Sequence, residues 1–170
     1  MSSEPRMAAA FRTEIRPSDP LGIRRIVESS NYFSPAEIEI AVELAEERIA
    51  RGDASGYHFL FADGPSGLMG YACFGPIPAT ESSYDLYWIA VDSLLRGSGL
   101  GRELLERSER IVAGMGGRRL YIDTSSREQY VPTHGFYLRC GYRQEAFLED
   151  FYSPGDGKLI YVKALSDVRP

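Results

Sequence analysis

The residues whose types and spacing point most directly to chemistry are Arg96-Gly97-Ser98-Gly99-Leu100-Gly101-Arg102. These closely spaced glycines lie between an apolar run, residues 86–91, and a stretch with apolar residues at 100, 104, 105, 111, 112 and 115. The run reads as a buried strand, and the later spacing is that of one helical face. A glycine turn that feeds a helix start leaves several backbone N–H groups without intrahelical partners. It aims them one way, at the positive end of the helix dipole. Such a loop is an anion site, and glycine lets a phosphate come close to the backbone. Two phosphate-loop patterns fail on spacing. The Walker pattern needs Gly-Lys-Ser/Thr, whereas Gly101 is followed by Arg102-Glu103; the dinucleotide pattern needs Gly-x-Gly-x-x-Gly, whereas the glycines fall at 97, 99 and 101. Cys73 and Cys140 show neither Cys-x-x-Cys spacing nor a His–acid arrangement in sequence. Each reads as a small buried apolar residue, and no metal site is expected.

The pattern that fits is Arg96-x-x-Gly99-x-Gly101, after a strand and before a helix. A second block, Phe136-Tyr137-Leu138-Arg139-Cys140-Gly141-Tyr142, follows later in the chain. Together they resemble the two signatures of the GNAT superfamily of N-acetyltransferases, a pyrophosphate loop and a Phe-Tyr-x-x-x-Gly-Phe/Tyr helix end, and the pairing is far more specific than either block. The resemblance covers about residues 11–165. It implies acetyl-CoA as co-substrate, no metal, and direct transfer of the acetyl group to a primary amine of a small molecule, a protein lysine or a protein N-terminus. By the same resemblance, the backbone of Ile89, Ala90 and Val91 would meet the pantetheine arm. The amides of Arg96, Gly97, Ser98, Gly99, Leu100, Gly101 and Arg102 would hold the pyrophosphate.

Tyr137 matches the family tyrosine near the acetyl-CoA sulfur and is the expected general acid. The base is open between Asp85, Asp123 and a water chain. Asp85 lies on the strand where lysine-acetylating members often carry a glutamate; it is one methylene shorter, so a bridging water would be needed. Asp123 matches the strand position of a glutamate in ribosomal-protein N-terminal acetyltransferases, although the stretch from there to Tyr137 is longer here. Tyr32 and Phe33 fall where the family shapes its acceptor pocket, as do Phe151 and Tyr152. Glu149-Asp150-Phe151-Tyr152 mixes acids and aromatics, which suits a cationic amine. His134 reads as a helix-entry residue. The rival reading is a GNAT fold that senses acyl-CoA without turnover; the glycine loop does not separate the two, while Tyr137 and Asp85 favour catalysis.

The elements that must position these residues read in order as follows. Residues 11–16 form a strand. A helix runs over 19–29 with Asp19 as N-cap and Pro20 at N1. Ser34-Pro35-Ala36-Glu37 is a capping box that opens a helix to residue 51, with Ile38, Val42, Ala45 and Ile49 on its apolar face and Glu39, Glu43, Glu46 and Glu47 in solvent. Strands over 57–62 and 68–74 flank a turn. A strand over 84–92 leads to the helix from residue 100 to 115. Then come a strand over 120–124, a helix over 133–140, a strand over 142–147, a loop over 148–157 and a last strand over 158–165. This β-α-α-β-β-β-α-β-α-β-β order predicts an α/β (α+β) mixed sheet of about seven strands with helices on both faces, and it is also the order of the GNAT fold.

Composition sets the outer bounds. The 170 residues suggest one domain over 11–166, with residues 1–10 as a disordered leader and 167–170 as a tail. Net charge is −5, from 19 basic and 24 acidic residues, which argues against a nucleic-acid partner. No run of ~18 apolar residues and no signal-like leader occur, so a cytoplasmic setting without membrane contact is expected. Homodimerisation is compatible with the resemblance, but no sequence stripe marks it.

Overall fold

The computed structural model describes residues 8–165, so most of the expected leader and the whole tail lie outside the described residues. The strands are β1 (Ala10–Arg12), β2 (His58–Gly64), β3 (Gly67–Pro76), β4 (Ser83–Val91), β5 (Arg119–Ser125), β6 (Arg143–Ser153) and β7 (Asp156–Ala164). The helices are α1 (Asp19–Ser29), α2 (Pro35–Arg51), α3 (Leu100–Gly114) and α4 (Val131–Arg139). The order of elements is the expected one. The strands form a seven-stranded mixed sheet in the order β1-β2-β3-β4-β5-β7-β6. Two compact units divide the chain, the first ending at Cys73 and resuming over Trp88–Leu104, the second holding Phe74–Tyr87 and the residues from Leu105 onward.

In the first unit, Ile23, Ile26 and Val27 of α1 and Ala41, Val42 and Ala45 of α2 are buried. Phe59 and Phe61 alternate along β2 on one face, so their rings stack at 5.4 Å, and both lie against Tyr71. One corner is ionic. The Arg12 guanidinium donates to Asp19 and Asp63 and covers the Phe61 ring at 4.4 Å. These contacts correct two expectations. Asp19 is the first helical residue, not the N-cap; its buried carboxylate accepts from Arg12 and from the Arg16 N–H, while Ser18 occupies the cap without a side-chain bond. β1 stops at Arg12: beyond it the Glu14 carbonyl accepts from the Arg12 guanidinium and the Arg16 N–H donates to the Asp19 carboxylate, so these backbone groups pair with side chains. The capping box at Ser34 and Glu37 is present as expected, with both reciprocal bonds. Ile49, expected on the apolar face of α2, is exposed; it lies beside Pro17 and Pro20, where α1 is only beginning.

In the second unit, Leu105 and Val112 of α3 are buried, as are Leu120, Ile122, Tyr161 and Val162 on the strands. Glu109, on the same helix, is also buried; it accepts from the Tyr142 hydroxyl at 3.0 Å and from Lys163 at 2.9 Å. Lys163 donates in addition to the Cys140 carbonyl, so one satisfied polar network joins α3, β7 and the end of α4. The expected loop over 148–157 is overturned. Most of it is strand, because β6 and β7 form a long hairpin that closes at Ser153↔Asp156 around Pro154-Gly155. Its register shifts between Leu148 and Ser153, where Asp150 adopts φ 53° and its carboxylate accepts from the Gly155 N–H. That bulge breaks the alternation by which a strand is recognised.

Candidate active site

The glycine loop lies in the first unit. β4 ends at Val91, and Asp92 caps the short turn Ser93–Leu95 by accepting from the Leu94 N–H. Asp92 also accepts from Arg25 at 2.6 Å, and its own N–H donates to the Met69 carbonyl. Burial opposes its charge, but Arg25 and the Leu94 amide outweigh this and hold Asp92 below the usual carboxylate range. Arg96 leaves the turn with extended backbone, and its guanidinium donates to the Ser30 carbonyl and lies 4.8 Å from the Tyr32 ring centre. Gly97 and Gly99 then adopt φ of 77° and 87°, a region that disfavours a side chain. A Cβ at Gly97 would point into open space. The Ser98 hydroxyl accepts from the Leu100 N–H, and α3 begins at Leu100, with Gly101 and Arg102 in its first turn. The loop is therefore exposed over residues 96–99 and feeds a helix of 15 residues.

The strand that leads to the loop differs from expectation. Residues 87–91, expected to be buried, are half-exposed, and the parallel register of β4 with β5 runs from Ser83↔Arg119 to Asp85↔Tyr121. Ile89, Ala90 and Val91 are thus on a partly uncovered part of β4. Phe33 packs on Trp88 at 5.0 Å between ring centres, and the buried Trp88 indole N–H has no hydrogen-bond partner. Tyr32 and Phe33 therefore both meet this end of β4 or its loop.

The acid–base candidates lie in the second unit. Asp85 sits opposite Tyr121, and side chains alternate along β5, so Asp85 and Asp123 share one face of the sheet. Asp85 is half-buried, and its carboxyl is pushed up to about 6, first by burial and then by the charge of Asp123, against a lowering by Lys158. Asp123 is more exposed and forms an ion pair with Lys158 at 2.5 Å. Lys158 in turn lies 4.5 Å from the Phe151 ring centre, and Tyr152 packs edge-on against Phe151. Tyr137 is buried in α4 among the rings of Phe136, Tyr142 and Tyr161, each within 6 Å. Burial raises its hydroxyl well above the ordinary tyrosine value, with Cys140 adding to the effect. His134 stacks on Tyr161 and donates from Nε2 to the Ser125 carbonyl at 2.9 Å, which ties the start of α4 to the end of β5. Cys73 is buried, and burial raises its thiol far above the usual value, so no thiolate nucleophile is available there. Among the described residues, no group of His, Cys, Asp or Glu is placed to hold a metal.

Sequence reasoning missed Lys158 and Trp88. A lone lysine in a strand carries no local signal; its position opposite Ser125 depends on the β5–β7 register. Trp88 was visible only as one member of an apolar run.

A family model described as the Acetyltransferase (GNAT) family matches residues 23–142. The chain belongs to the GNAT family of acetyltransferases. A GNAT-family protein from Desulfovibrio desulfuricans is 48% identical, covers 94% of this chain and 100% of its own, and superposes with a TM-score of 0.92. An aminoglycoside 6'-N-acetyltransferase complexed with coenzyme A shares the fold at 17% identity, covering 95% of this chain and 99% of its own, with a TM-score of 0.73. The ribosomal-protein-S18-alanine N-acetyltransferase from Escherichia coli does so at 15% identity, covering 95% and 97%, with a TM-score of 0.74. Among curated proteins no sequence matches. The GNAT fold expected from the two signatures is therefore the fold observed. Among the described residues no helix is long and apolar enough to cross a membrane.

Proposed function

We propose that this GNAT protein transfers an acetyl group from acetyl-CoA to a primary amine, with Asp85 as general base and Tyr137 as general acid. The observation that carries the reading is Asp85, a half-buried carboxyl pushed up to about 6 beside a second carboxylate. An ammonium acceptor must lose a proton before its nitrogen can attack. A carboxyl that titrates just below neutrality is ionised at working pH and still basic enough to take that proton. Its short side chain makes a relay through one water the natural path. Asp123, paired with Lys158, acts as the neighbouring charge rather than as the base. Tyr137 keeps its proton throughout the working range, the state required of a donor to the departing thiolate. Acetyl-CoA supplies the activated acetyl group. The amides of residues 96–102 hold its pyrophosphate, and the backbone of Ile89, Ala90 and Val91 meets the pantetheine. Tyr32, Phe33 and Tyr152 are each proposed as contacts of the acceptor.

The test is thiol release from acetyl-CoA across a panel of small amines, lysine peptides and N-terminal peptides. Asp85→Asn and Tyr137→Phe should each lower turnover about 100-fold. Calorimetric CoA binding should stay intact in both variants, because neither touches the glycine loop. Cofactor that binds but is never consumed, or an Asp85→Asn protein with wild-type turnover, would overturn the assignment.

A further inference from the structure

Two carboxylates on one face of a sheet raise a problem of proton placement. If both stay ionised without compensation, each makes the other harder to ionise, and the proton is shared between them rather than assigned. The structure holds a third group on that face. Lys158 on β7 pairs with Ser125 in register, and β5 alternates from Ser125 to Asp123 to Tyr121, opposite Asp85. Its ammonium lies 2.5 Å from Asp123 Oδ2 and is only 17% exposed. The Phe151 ring, 4.5 Å from the same nitrogen, holds it from the other side. Phe151 follows Asp150 in the stretch of β6 where the register shifts. By register, the ionisable groups on the face with Asp85 include Tyr87 on its own strand, Arg119, Tyr121 and Asp123 on β5, Lys158 on β7 and, further out, Arg143 on β6. The part of β3 within the same unit, residues 74–76, carries none.

We propose that Lys158 is a positioning residue that engages Asp123 and so leaves Asp85 as the proton acceptor of the site. The inference rests on the reading of Asp85 as base. Lys158 touches neither the acceptor nor the cofactor in this role; it acts through the charge of Asp123 and through its own field at Asp85. The influences on Asp85 oppose one another: burial and Asp123 push its carboxyl up, and Lys158 pulls it down. The aromatic contact fits the same purpose, since a lysine held between a carboxylate and a ring keeps its ammonium in one place.

The experiment follows the Asp85 carboxyl by carbon-detected NMR titration in the protein without substrate, in the wild type and in Lys158→Met, Lys158→Arg and Asp123→Asn. The wild-type midpoint is expected near 6. Lys158→Met should raise it by about one unit. Lys158→Arg should keep it close to wild type, because the charge remains, and Asp123→Asn should lower it. In turnover, Lys158→Met should lose about fivefold at pH 6 and almost nothing at pH 8, as a midpoint one unit higher requires; a merely structural lesion would lower both alike. The Asp123→Asn arm reads the Asp123 part of the field at Asp85 without touching β7, and Lys158→Arg, which keeps the charge in place, controls for misfolding of Lys158→Met. An Asp85 midpoint that stays put or falls in Lys158→Met overturns the proposal. Wild-type turnover in Asp85→Asn would instead overturn the base assignment, while the titration still reads the coupling of Lys158 to Asp85.

Discussion

At the scale of single residues, Asp85 is expected to act in opposite directions on stability and on the proposed reaction. Its carboxyl titrates near 6 in the folded chain, raised by burial and by Asp123, whereas an unfolded aspartate titrates near ~4. Between those pH values the unfolded chain is already ionised there and the folded chain still holds the proton. This group therefore costs stability as pH rises from about 4 to about 6, and the cost is constant above that. Asn carries no such penalty. Asp85→Asn is expected to raise the melting temperature at pH 7.5, with a gain on the order of 1 kcal/mol once partial solvation is allowed for. At pH 4 the gain should vanish. Differential scanning calorimetry at the two pH values checks it, and equal effects at both would show that the carboxyl is not penalised. A side chain that stabilises the protein when removed but slows it is the signature of a residue kept for chemistry.

At the scale of elements, the glycine loop and the β6–β7 hairpin show what a sequence does and does not reveal. The loop was legible because its chemistry is contiguous and made of backbone: Gly97 and Gly99 announce the positive φ values that the structure contains. Gly99→Ala should strain the loop by about 1–2 kcal/mol and weaken CoA binding about tenfold. Isothermal titration reads the affinity, and an unchanged helical circular dichroism signal separates loop strain from unfolding. The capping box at Ser34 was legible for a similar reason, since its two bonds join residues within one turn. The hairpin was not legible. Asp150 in a left-handed conformation interrupts the alternation of β6, and the Pro154-Gly155 turn resembles an ordinary loop. With the register hidden, the pairing of Lys158 with Asp123 was hidden too. Asp19 failed for another reason: Arg12, on the preceding strand, competes for the carboxylate that a local reading gives to the helix end.

At the scale of the whole molecule, donor recognition should appear as global stability. A ligand at about 100 times its dissociation constant adds about 2.7 kcal/mol by linkage. For a chain of 170 residues that corresponds to roughly 5–10 °C in melting temperature. CoA should produce this shift in the wild type and a smaller one in Gly99→Ala at the same concentration, read by thermal scanning; an unshifted wild type would count against the donor site. The way the loop is moored adds a kinetic consequence. Asp92 is bonded to Arg25, 67 positions earlier; the Ser93 N–H donates to the Ser29 hydroxyl, and Arg96 donates to the Ser30 carbonyl. The loop thus hangs from the last turns of α1, where a helix frays most easily. Amides over 92–96 and the end of α1 should exchange with solvent as one unit, at a lower opening free energy than the buried strands. In mild denaturant, donor affinity should then fade while the far-ultraviolet signal still reports an intact sheet.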